Sequence, residues 1–183
     1  MSAPKPSGKA VTRSFRLDKT WNDAISELAK EKNISTSALI EKICRDYVLF
    51  YQWVEDLNSL IFSPGTIMPA IEALTVEQLE KLAEGSAKSS FSESYLVRGY
   101  SFDIDTVRFQ IVDQMARYAH WFTVNEHKDE HRHYFYIKHD YGEKWSVFVD
   151  KFLCTLIRNF SSYEVSSERV GKNIILRLKT GSP

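Results

Sequence analysis

No run of apolar residues in this sequence approaches the ~18–20 needed to span a bilayer. Its first nine residues, Met1 to Lys9, contain no apolar stretch of the kind that opens a signal peptide. It has two cysteines, Cys44 and Cys154, far apart and each inside an apolar helical pattern. That is no disulfide framework, and it fits a reducing cytoplasm. Net charge is absent too, with 24 basic residues balancing 24 acidic ones. Short catalytic signatures are missing: there is no phosphate-binding Gly-rich loop, no Gly-x-Ser-x-Gly, no His-Glu-x-x-His and no Cys-x-x-Cys. The chain is therefore read as a protein without enzymatic activity or a resident cofactor.

What is present is a chain of 183 residues, enough for one or two domains. Its 11 Phe, 9 Tyr and 4 Trp can seed a real core. The zero net charge hides an uneven distribution, and for a nucleic-acid partner the distribution matters more than the sum. Residues 1–19 carry five basic side chains against Asp18, a net of +4, while residues 54–92 carry a net of −4.

Residues 1–10, with two Pro, two Ser and a Gly, read as a flexible basic arm. Val11 to Leu17 then alternate: Phe15 and Leu17 fall on one face, Thr12, Ser14 and Arg16 on the other, as in a short strand. Asp18 or Thr20 can cap a helix whose apolar face is Trp21, Ala24, Ile25, Leu28 and Ala29. Asn33 suits the left-handed residue that ends such a helix. Ser35 offers the next N-cap, and Leu39, Ile40, Ile43, Cys44, Tyr47, Val48 and Tyr51 make a second stripe.

A lone seven-residue strand needs a partner, and forty residues bury too little to stand alone. Two copies answer both needs. Their strands pair antiparallel, one ribbon face joins the core, and the other presents Thr12, Ser14 and Arg16. Such a ribbon fits the major groove, where Arg reads guanine O6 and N7. The helix start at Ser35-Thr36-Ser37 offers free amides and a positive dipole end to a phosphate.

Residues 11–51 resemble the ribbon-helix-helix family of bacterial, phage and archaeal repressors. The resemblance rests on the Thr12-Arg-Ser-Phe-Arg-Leu17 strand, the helix from Trp21 to Lys32, and the Asn33-Ile-Ser-Thr-Ser37 turn into a second helix ending near Phe50. It implies a homodimer on double-stranded DNA. Thr12, Ser14 and Arg16 match its base-reading positions, and Ser35, Thr36 and Ser37 match its phosphate-clamping helix start. Lys9 in the arm and Arg13, at the ribbon's edge or reaching the backbone, are further candidate phosphate contacts. Asn33 departs from the Gly often found at the turn, and Arg13 takes a position that is often apolar.

Domain boundaries follow: an arm over 1–10, the ribbon-helix-helix unit over 11–53, a helical connector and linker over 54–92, and an α+β domain over 93–183. In the connector, Ser63-Pro64-Gly65 breaks the helical pattern, and Thr75 with Gln78 has capping-box form. Gly85 to Ser94 reads as a Ser-rich linker. Beyond it the pattern predicts a strand (95–104), a helix (105–120), a hairpin (121–126 and 132–139), a helix (142–160) and a second hairpin (163–168 and 173–179). That order points to a ferredoxin-like α/β sandwich, and to an α+β fold class for the whole chain.

Five histidines cluster between 120 and 139. His127, His131, His133 and His139 are the candidates for a metal, since imidazole suits Ni, Zn, Cu and Co. Nickel-responsive members of the family carry a metal-binding ferredoxin-like domain at a tetramer interface. Their ligand spacing is not found here, so no metal site is carried over. The sequence is thus read as a homodimeric, possibly tetrameric, transcription regulator whose C-terminal domain oligomerises or senses an effector. Two alternatives stand beside it: an antitoxin-like protein whose C-terminal domain binds a partner protein, and a repressor responsive to a metal or small molecule.

Overall fold

The computed structural model describes residues 8–56, 59–89, 99 and 101–180. It combines helices with one four-stranded antiparallel sheet, an α+β composition. The chain divides into two compact units between Leu60 and Ile61. Among the described residues, no helix is long and apolar enough to cross a membrane.

In the first unit, residues 9–18 take no regular secondary structure. Helix α1 (Lys19–Glu31) begins at Asp18, whose carboxylate accepts the Thr20 amide at 2.8 Å. It ends as the sequence predicts, with Asn33 at φ 52°. The Ile34 amide reaches back to the Ala29 carbonyl and the Asn33 amide to Lys30, which is a Schellman closure. Helix α2 (Thr36–Asp46) runs without a break through a π-helical turn, Tyr47–Tyr51, into α3 (Gln52–Asp56).

The second unit opens with α4 (Pro64–Ala73) and α5 (Val76–Lys88). The predicted break at Ser63-Pro64-Gly65 is the start of α4. The predicted capping box is present: Thr75 Oγ1 accepts the Gln78 amide, and the Gln78 side chain accepts the Thr75 amide. Next come α6 (Ile104–Arg108), a π-helical segment (Phe109–Tyr118), β1 (Thr123–Lys128), β2 (Arg132–Lys138), α7 (Glu143–Phe160), β3 (Val165–Val170) and β4 (Asn173–Lys179). Helix α7 packs on β3 and β4, the π-helical segment on β1, and α5 on α7. Phe135, Ile137, Ile174, Leu176 and Leu178 form the sheet side of the core. Phe152, Leu153 and Leu156 supply α7's share, with Trp121 packed against the cluster. Gly142, at φ 89°, precedes α7 where a Cβ would lie 2.9 Å from Glu72 Oε1. Lys144 then donates to the carbonyls of Glu72 and Leu74 at the end of α4, a cation at a helix C-terminus.

Three expectations are corrected. The start of the expected linker is helix: α5 runs through Gly85 to Lys88, because Ala83 and Ala87 pack into the core and Glu84 pairs with Lys151 of α7 at 2.7 Å. Tertiary burial outweighs the Gly and Ser content. The stretch over 54–92 is accordingly not one connector, since α4 and α5 belong to the core of the second unit. Of the strand expected over 95–104, most lies outside the described residues, and its described end starts a helix, with Asp103 accepting the Thr106 amide at 2.8 Å.

The third correction concerns strand order, which is β1-β2-β4-β3. A ferredoxin-like sheet places its first strand between two others. Here the place between β2 and β3 belongs to β4, the last strand, through antiparallel pairs such as Phe135↔Leu176 and Ser167↔Leu176. The two expected hairpins and α7 are where the pattern puts them.

Candidate nucleic-acid interface

Each candidate base-reading residue lies in the segment before α1. Thr12, Ser14 and Arg16 are exposed, as are Lys9 and Arg13. Their apolar neighbours are exposed as well, Phe15 at 59%. Ladder hydrogen bonds need a neighbouring strand; among the described residues this segment has none, so the strand expected over 11–17 is not formed in the single chain, and Phe15 and Leu17 stay exposed.

The second element of the candidate interface is the start of α2. Ser35, at φ −72° and ψ 152°, caps the helix by accepting the Ala38 amide at 3.1 Å. The Leu39 amide closes on the Ser35 carbonyl. The first two amides, of Thr36 and Ser37, are left pointing out of the helix end, as the geometry of any helix start requires. Ser37 is exposed and Thr36 half-buried. An anion placed there meets two N–H donors and the positive end of the dipole. Further along α2, the buried carboxylate of Asp46 is neutralised by Lys42 and lies 3.8 Å from Arg45. These two cations are thus engaged within the unit.

The four candidate metal ligands are not brought together. His127 and His131 are exposed, on β1 and in the turn. His133 faces the core, stacked on Phe135 at 4.5 Å, with Nε2 3.1 Å from Glu126, which in turn holds Arg108 by two bonds. His139 is buried elsewhere: Nδ1 accepts the Tyr141 amide at 3.3 Å, and Nε2 donates to Ser146 Oγ at 2.9 Å. Among the described residues no group of three or more His, Cys, Asp or Glu is placed to hold a metal ion.

The His139–Ser146 pair was not foreseen from sequence; the seven-residue spacing from strand end into helix is visible only once folded. It is not an activated nucleophile. Ser146 Oγ donates to the Gly171 carbonyl at 3.1 Å and is buried, so the hydroxyl proton is committed to the β3–β4 turn. The network ties the end of β2, the first turn of α7 and that turn together.

Burial pushes His139 below its ordinary imidazole value, Lys172 adding to the effect and Asp140 opposing it. Burial also lowers His133, against the opposing pull of Glu126. Both rings are therefore neutral in the folded chain at pH values where the unfolded chain protonates them. Their contribution is intact above the unfolded value of about 6.5 and is lost as pH falls below it toward the depressed folded values. Urea midpoints should therefore fall between pH 7 and pH 5, and His139→Gln should make that fall shallower. An unchanged slope in the variant would show that His139 does not carry it.

No family model matches the chain, and no match to a curated protein is found.

Proposed function

We propose that the chain is a homodimeric, sequence-specific DNA-binding regulator of transcription that inserts a two-stranded ribbon into the major groove. The observation that carries this reading is the apolar surface of the first unit. Among its described residues, Ala29 and Leu39 are the apolar side chains it buries fully. Phe15, Leu17, Trp21, Leu28, Ile43 and Tyr47 stay exposed, Trp21 at 65%. Each large apolar side chain covered is worth about 1.5–3 kcal/mol. A second copy supplies the cover and, in the same act, the partner strand for residues 11–17.

In that ribbon Phe15 and Leu17 turn inward, and Thr12, Ser14 and Arg16 turn toward base edges. Lys9, Arg13 and the α2 start at Ser35, Thr36 and Ser37 hold phosphates on either side. The Schellman turn at Asn33 supports the reading, because it fixes the angle at which α1 hands over to that helix start.

Two measurements test it. Sedimentation at micromolar concentration should give a dimer. On the best site from a duplex selection, Arg16→Ala should cost about 1–3 kcal/mol and relax base preference at one position per half-site. Wild-type affinity in Arg16→Ala would remove Arg16 from the reading head.

A further inference from the structure

The sheet face turned away from the helix layer holds charge and aromatic surface that the core of the second unit does not use. Strand alternation places Arg132, Tyr134, Tyr136 and Lys138 of β2 there, beside Arg177 and Lys179 of β4 and His127 of β1. The rings of Tyr134 and Tyr136 are nearly parallel, 10° apart with centres 6.4 Å from each other. His127 lies 6.0 Å from Tyr134. Tyr136 is 43% exposed.

Cations outnumber carboxylates on this face. Glu168 pairs with Arg177 at 2.6 Å, and Glu164 with Lys179 at 3.2 Å. Asp129, in the β1–β2 turn, accepts the backbone amides of His131 and Arg132 at 2.8 Å. Arg132 and Lys138 have no carboxylate partner among the described residues. A second copy of this face is a poor occupant, since two-fold stacking sets like charge against like. Duplex DNA keeps its bases stacked internally and leaves the rings unused. Single-stranded nucleic acid matches both features: its splayed bases stack on aromatic faces, and its phosphates follow Arg and Lys.

We infer that this outer sheet face binds single-stranded nucleic acid, with Tyr134 and Tyr136 stacking bases and Arg132 and Lys138 holding the backbone. It is a second nucleic-acid surface, independent of the ribbon. The full chain is titrated against labelled single-stranded RNA and DNA of about 12 nucleotides, and against the selected duplex. Tyr136→Ala should weaken single-strand binding roughly 5- to 100-fold, while Tyr136→Phe keeps it. Arg132→Ala with Lys138→Ala should lower its salt dependence. Neither change should alter duplex binding, and Arg16→Ala should do the reverse. Which of the two strands binds more tightly identifies RNA or DNA as the ligand. No binding of either strand, or single-strand affinity unchanged in a Tyr136→Ala protein with wild-type circular dichroism, overturns the inference. So does a Tyr136→Ala protein that changes oligomeric state with single-strand affinity intact.

Discussion

Phe15→Asp should turn the proposed dimer into a monomer at micromolar concentration and abolish the proposed specific DNA binding. In the single chain Phe15 is exposed, so the substitution removes little packing within one copy. In the proposed dimer the ring lies inside the ribbon core. By two-fold symmetry the change places two carboxylates in that core, each costing several kcal/mol to desolvate, and removes two aromatic rings. The expected weakening of association exceeds ~100-fold at 1.4 kcal/mol per tenfold. Sedimentation reads the oligomer and a mobility shift reads the DNA. A variant that remains dimeric and still binds would place Phe15 outside the interface, and the inward face of residues 11–17 with it.

The second large effect belongs to the other unit. Phe152 is fully buried on α7, with its ring 5.4 Å from Trp121 and 5.9 Å from Phe148. The Trp121 carbonyl accepts the indole N–H of Trp145 at 2.9 Å, which holds this aromatic cluster in place. Phe152→Ala should therefore cost about 3–5 kcal/mol. For a unit of this size that is a fall of roughly 10–20 °C in midpoint. Calorimetry of the full chain should show the loss in one transition. Duplex binding measured at 10 °C should persist, because the proposed reading residues lie in the other unit. A cost below about 1 kcal/mol would mean that the α7 core is loosely packed.

Much of the local structure was legible because short polar residues announce helix ends. Asp18, Ser35 and Thr75 cap the helices the pattern assigned to them. Asn33 takes the left-handed turn expected of it. Both hairpins of the sheet and α7 are strongly periodic, and Gly171, at φ 60°, supplies the turn of the second hairpin.

What was not legible depends on distant partners. Gly85 and Ser86 look like linker, yet the burial of Ala83 and Ala87 carries α5 through them. The placing of β4 beside β2 is a long-range pairing that no local pattern encodes. The π-helical geometry of Phe109–Tyr118 leaves the apolar stripe of Val107, Ile111 and Met115 in place, so periodicity alone does not distinguish it. Of the candidate interface, the helix start at Ser35 was readable. The environments of His133 and His139 were not, because each is set by a group on another segment, Glu126 in one case and Ser146 in the other.

The most direct test of the account is selection of the full chain on a randomised duplex library at two salt concentrations, with sequencing of what is retained. The account predicts an enriched, near-palindromic motif that survives the higher salt, its symmetry that of the dimer. Binding without sequence enrichment that collapses as salt rises would be phosphate attraction to the basic arm alone, and would contradict a ribbon that reads bases.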